Sequence, residues 1–152
     1  MPYTRSQAGL RLLADSTGIK FLDEGEWKCK KHRPERRPQW RKLHIGIDAQ
    51  TLQIRAICVT SNNVSDASVL PELLQQLPED EVLESVTGDG AYDTQPVHAA
   101  VIRRGDTPVT PSRKNARIRK GGVFVRRNAA IAACRRLGRS TWKCWSDEHR
   151  RS

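Results

Sequence analysis

Asp89 stands between Gly88 and Gly90 directly after the apolar run Val82 to Thr87, which places a carboxylate where a strand would end. Glycine on both sides leaves backbone room for a metal ion and a phosphate to approach. The same Gly-Asp-Gly would equally well reverse the chain in a turn, and these residues alone do not separate the two readings. A second carboxylate, Asp15, lies far upstream in the extended apolar segment that begins at Leu10. Two carboxylates brought together would present hard oxygen ligands to divalent cations beside a phosphodiester. Magnesium keeps several waters and takes one or two protein carboxylates per ion. Two such ions, about 3.5 to 4 Å apart, would activate an attacking oxygen and stabilise the leaving one. The expected cofactor is therefore Mg2+ or Mn2+, with two ions in an intact site.

The wider composition favours a polyanionic partner. The chain has 152 residues, 37% of them apolar, a size suited to one domain with one core. Lysine and arginine number 27 against 17 acidic residues, giving net charge +10 and a pI near 10, so nucleic acid is the leading expectation. A membrane is not expected: no apolar stretch approaches a bilayer span, and Met1-Pro2-Tyr3-Thr4-Arg5 lacks the apolar core of a signal peptide. A cytoplasmic location follows. Cys29, Cys58, Cys134 and Cys144 form no Cys-x-x-Cys pair and are expected as thiols. Cys29 and His32 stand three apart, but no second pair with zinc-site spacing follows them.

The elements that must position the two carboxylates can be read from periodicity. Leu10 to Leu22 is an extended segment, interrupted in pattern by Asp15-Ser16-Thr17-Gly18. From Glu26 to Lys42 the chain is strongly basic, broken by Pro34 and Pro38 and bracketed by Trp27 and Trp40, a mixture suited to backbone contact and base stacking. Leu43, Ile45 and Ile47 alternate with His44, Gly46 and Asp48. After the turn Asp48-Ala49-Gln50-Thr51 the pattern resumes with Ile54, Ile57 and Val59, which predicts a hairpin. Asp48 opens the turn, and its expected role is structural. Ser68 is the predicted cap of a helix with Val69, Leu70, Leu73, Leu74 and Leu77 on one stripe and Pro71 in its first turn. Val82 to Thr87 is a strand delivering Asp89. Asp93 or Thr94 caps a helix with Pro96 near its start, and Thr107 to Thr110 is a further short strand. A second basic run, Arg113 to Lys120, precedes a long helix from about Val125. That helix carries a basic surface of Arg126, Arg127, Arg135, Arg136 and Arg139, and Gly138 weakens it. Strands followed by crossover helices imply an α/β fold, a ribonuclease H-like mixed sheet flanked by helices. In such a sheet the strands leading to Asp15 and Asp89 can lie side by side.

Six phrases then carry a family resemblance: Asp15-Ser16-Thr17-Gly18-Ile19-Lys20, Gly25-Glu26-Trp27-Lys28, Gln39-Trp40-Arg41-Lys42-Leu43-His44, Asp89-Gly90-Ala91-Tyr92-Asp93-Thr94, Arg113-Lys114-Asn115-Ala116 and His149-Arg150-Arg151-Ser152. Together, and in this order, they resemble bacterial insertion-sequence DDE transposases of the insertion-sequence-five type along nearly the whole chain. The resemblance implies metal-dependent DNA strand cleavage and transfer, in which a water and then a DNA 3′-hydroxyl attack phosphorus without a covalent enzyme intermediate. It implies that Asp15 and Asp89 are the first and second acids of the triad, both catalytic and metal-binding. The expected partner is DNA, at transposon ends and target, with a homo-oligomer left open. The implied setting is the bacterial cytoplasm, in association with the nucleoid. Lys20, Lys28, Arg41, Lys42 and Arg151 are the candidate phosphate contacts by motif position and charge.

The final motif of the family, Tyr-x-x-Arg-x-x-x-Glu-x-x-x-x-x-x-Lys, aligns its Arg with Arg151, finds Glu148 in place of its Tyr, and puts its Glu at position 155. Glu148 is seven residues from that position, about 10 Å along a helix, too far to replace it. The expectation is thus a single partial catalytic domain over residues 1–152, without the N-terminal DNA-binding region and the end of the last catalytic helix. Such a chain would be impaired in catalysis, and the alternative reading is a non-catalytic DNA-binding remnant.

Overall fold

In the computed structural model the residues described are 9–20, 40–105, 108–110 and 115–146. The predicted alternations form one five-stranded sheet from β1 (Leu10–Lys20), β2 (Trp40–Asp48), β3 (Ile54–Ser61), β4 (Leu83–Thr87) and β5 (Pro108–Val109), in the order β3-β2-β1-β4-β5. Pairing is antiparallel from β3 through β2 to β1, and parallel from β1 to β4 and from β4 to β5. Parallel neighbours need long crossovers. These are supplied by α1 (Asp66–Gln75) between β3 and β4 and by α2 (Gln95–Arg103) between β4 and β5. The result is the expected α/β fold, a mixed sheet with flanking helices consistent with a ribonuclease H-like domain.

Residues paired across neighbouring strands share a face. On one face Leu10, Leu12, Ala14, Ala56 and Val86 are buried against Val69, Leu70, Leu73 and Leu74 of α1 and Val97 and Val101 of α2. Each such leucine contributes about 1.5 to 3 kcal/mol when fully buried. The β2 residues on this face are His44, Gly46 and Asp48, all buried, whereas Leu43, Ile45 and Ile47 turn to the opposite face and are half-buried. There they adjoin Ile54, Ile57 and Val59, each more than half exposed. The alternation of β2 is as expected, but the helix-covered side is its polar one. Polar groups sit there because they have partners: Asp48 accepts from the Gln50 amide at 2.9 Å, the Thr51 hydroxyl at 2.9 Å and the Arg55 guanidinium at 2.8 Å. Its structural role is as expected.

Three boundaries differ from the sequence reading. β1 is not interrupted at Asp15-Ser16-Thr17-Gly18, because β2 pairs with it continuously from Leu12↔Asp48 to Lys20↔Trp40 and completes its ladder. α1 begins at Asp66 with Ser65, not Ser68, in the extended cap position; the Ser68 hydroxyl instead donates back to the Ser65 carbonyl at 2.6 Å. Pro71 is therefore past the first turn, where it removes one intrahelical hydrogen bond. The long C-terminal helix is divided into α3 (Val125–Leu137) and α4 (Arg139–Trp145) by Gly138, whose φ of 84° is open to glycine at little cost.

Candidate active site

β4 carries the chain to Asp89. A Cβ on Gly88 would lie 2.7 Å from Cδ2 and 2.8 Å from Cγ of Tyr92, so the space beside Gly88 is filled by that buried ring. The backbone room read from the sequence for a metal ion and a phosphate is, at Gly88, room for tyrosine. Asp89 then opens the one-turn 3-10 helix Gly90–Tyr92, its Oδ1 accepting from the Ala91 amide at 2.8 Å. Turn and exposed carboxylate are thus realised together. Gly88→Ala is expected to push Tyr92 off the strand end and cost about 1 to 3 kcal/mol through overpacking. Thermal unfolding of the variant measures this loss.

Asp15 is on β1, the parallel neighbour of β4. The last paired positions are Leu13↔Thr87, and Asp15 and Asp89 each follow by two residues. With period two along an extended chain, both carboxylates belong to the face of Leu13 and Thr87, opposite the face packed on α1. Asp15 is half-buried, Asp89 is exposed, and Asp15 Oδ1 accepts from the Ser16 amide. Glu84, earlier on β4, is engaged by Arg11 at 2.7 and 2.8 Å, and these bonds hold its carboxyl below the usual range. Among the described residues no group of three or more His, Cys, Asp and Glu is placed to hold a metal ion. The donor set present, one carboxylate midway along β1 and one just past the end of its parallel neighbour β4, suits a hard, oxygen-preferring cation.

Of the basic candidates, Arg41 pairs with Ile19, four residues beyond Asp15, and shares its face. The intervening strand length is about 13 Å. Lys20 and Lys42 fall on the other face by the same alternation. The Lys42 ammonium donates to Asp66 and to the Val64 carbonyl, both at 3.1 Å, which ties β2 to the start of α1. Lys28 and Arg151 lie outside the described residues, as do Glu148, Trp27, the Cys29–His32 pair and most of the first basic run. Of the cysteines, Cys58 and Cys144 are free thiols.

Behind Asp89 lies a buried polar group that composition does not reveal. Asp93, considered as a cap, is buried, and Thr94 takes the cap position of α2. Arg127, counted with the basic surface of the last helix, is only 6% exposed and points inward. Its Nε donates to Asp93 Oδ1 at 2.6 Å and its Nη2 to Oδ2 at 3.1 Å, while His98 Nε2 lies 3.0 Å from Oδ1. The third guanidinium nitrogen donates to the Arg117 carbonyl at 2.8 Å. The signal was present in the helical spacing, since Phe124, Arg127 and Ile131 share one stripe and all three are buried. Burial alone would raise the Asp93 carboxyl; hydrogen bonds from His98 and Arg127 and their charges outweigh it and hold it at about 2.

A carboxyl depressed in the folded state contributes stability above its unfolded value and loses it as pH falls through the folded one. With unfolded and folded values of 3.8 and about 2, the window is pH 4 to 2, and the contribution is about 2 kcal/mol. Urea unfolding of native chain and Asp93→Asn should show their stability difference shrinking by that amount across this window.

Residues 7–151 match the transposase DDE domain family. The match covers nearly the whole chain, and the chain belongs to that family. Membership makes it a transposase by class, with DNA as the implied partner.

Proposed function

We propose that this chain is the catalytic portion of a bacterial insertion-sequence transposase of the insertion-sequence-five type, in which Asp15 and Asp89 jointly hold divalent metal beside a scissile DNA phosphodiester. The observation that supports this reading is the parallel β1–β4 register, whose last pair, Leu13↔Thr87, precedes Asp15 and Asp89 by two residues each. The family generally uses divalent metals, and Mg2+ or Mn2+ matches the oxygen ligands here. When bound, the ions supply Lewis-acid stabilisation of the attacking and leaving oxygens at phosphorus.

The residues of the chain do the holding and orienting. The Ala91 amide fixes Asp89 Oδ1 and leaves Oδ2 for a ligand. Tyr92 packed on Gly88 sets the exit angle of the loop. Lys20, Lys28, Arg41, Lys42 and Arg151 are the proposed phosphate contacts. Arg41 has the strongest support, because it lies on the carboxylate face, and Lys42 the weakest, because Asp66 holds its ammonium. No helix among the described residues is long and apolar enough to cross a membrane. The reading is tested by metal binding and by Mg2+- or Mn2+-dependent strand cleavage in the native sequence and in Asp15 and Asp89 variants. DNA binding with neither metal binding nor cleavage would make the chain a non-catalytic remnant instead.

A further inference from the structure

Charge is distributed very unevenly along this chain. All 17 acidic residues lie outside positions 107–146, a span that carries 11 of the 27 lysines and arginines. The rest of the protein is close to neutral, so the net charge of +10 resides in this one stretch. Like charges gathered this densely repel one another, an arrangement that a bound polyanion relieves.

The fold arranges the described part of this stretch, residues 115–146, into a defined surface. Residues 116–120 are laid on α3 by their backbone: Asn128 accepts from the Arg119 amide at 3.1 Å and donates to its carbonyl at 2.7 Å. Arg127 and Arg135 donate to the carbonyls of Arg117 and Ala116 at 2.8 and 3.4 Å. Because main-chain groups make these contacts, the side chains of Arg117, Arg119 and Lys120 stay exposed. On α3, Arg126 and Arg136 flank the face opposite the buried Ile131, about 15 Å apart along the axis. Arg127 turns the other way onto Asp93, four residues from Asp89, and Phe124 packs edge-on against His98 of α2 at 6.2 Å. The cationic unit is thereby docked against the loop that carries the candidate metal ligand.

We propose that residues 116–120 and the outer face of α3 form a metal-independent site for the phosphate backbone of duplex DNA, held beside Asp89 by the Arg127–Asp93 pair. The choice of DNA among polyanions rests on the transposase reading. Binding through this site needs neither carboxylate, so it can be tested apart from the metal chemistry.

The experiment is fluorescence anisotropy of a labelled duplex in EDTA, titrated with salt. It compares the native chain, the quadruple variant R117Q/K120Q/R126Q/R136Q, and a control neutralising four cations of the first basic run, K30Q/K31Q/R36Q/R37Q. Each phosphate contact contributes about 0.9 to the slope of log K against log salt, so the quadruple variant should have a slope shallower by about 3.6. That corresponds to roughly 100-fold of the native loss in affinity between 50 and 200 mM salt. Native slope and affinity in the quadruple variant, with both lost in the control, would overturn the proposal and leave the transposase reading standing. Absence of DNA binding in EDTA would overturn it too, while Mn2+ binding by Asp15 and Asp89 reports on the transposase reading separately. Should the quadruple variant not fold cooperatively, a photo-crosslinking residue at position 120 in the otherwise native chain is expected to label the duplex, and failure to label it contradicts the proposal.

Discussion

Arg127→Ala is expected to destabilise the protein by about 3 to 5 kcal/mol, the cost of leaving one partner of a buried ion pair behind. Asp93 would keep His98 but lose both guanidinium bonds, at 2.6 and 3.1 Å, in a setting where its side chain is only 2% exposed. The Arg117 carbonyl would lose its donor, and the cation 6.0 Å from the Phe124 ring centroid would be gone. Arg127→Lys keeps the charge but not the planar two-pronged geometry, so it should recover only part of the loss. The double variant Asp93→Asn/Arg127→Met removes charge from both sides and should be markedly more stable than Arg127→Ala, since no uncompensated carboxylate stays buried. Urea unfolding of the three variants decides the matter. A loss below about 1 kcal/mol for Arg127→Ala, the level of an exposed ion pair, would show that the pair does not hold α3 to the Asp89 loop.

The other large effect falls on chemistry rather than stability. Asp89→Asn and Asp15→Asn should each lower metal-dependent strand cleavage by roughly 10³-fold or more, a loss of about 4 kcal/mol of transition-state stabilisation. The amide keeps the shape of the carboxylate and, at position 89, an oxygen to accept from the Ala91 amide, so folding should be little changed. What disappears is the negative charge that a divalent cation requires. The assay follows cleavage of a transposon-end duplex with Mg2+ or Mn2+ and compares each variant with the native protein. Retention of cleavage within tenfold in either variant would remove that residue from the metal site.

Much of this fold is legible in the sequence because local patterns and global packing agree. The hairpin, the strand leading to Asp89 and the apolar stripe of α1 all appear where periodicity puts them. Agreement ends where long-range contacts decide. Alternation identifies β2 as a strand but does not say that His44, Gly46 and Asp48 would face the helices; that depends on Arg55, Thr51 and Thr60 meeting them with hydrogen bonds. Asp15-Ser16-Thr17-Gly18 looks like a break because Asp15 and Gly18 are poor strand formers, yet a complete β2 ladder overrides propensity. The largest omission is Arg127. In a helix rich in arginine, charge suggests exposure, and the one arginine that turns inward is distinguished by a carboxylate 34 positions earlier. Asp15 and Asp89 are singled out by chemistry and motif order, and each lies two residues past Leu13↔Thr87, the last pair of the parallel register.

Central to the proposed chemistry is that these two acids act together on one cation. Titration of Mn2+ followed by electron paramagnetic resonance, in native chain, Asp15→Asn and Asp89→Asn, tests it without requiring turnover. Saturable binding to the native chain and at least tenfold weaker binding in each single variant are expected, with circular dichroism unchanged. Superimposable titration curves for all three proteins would contradict it.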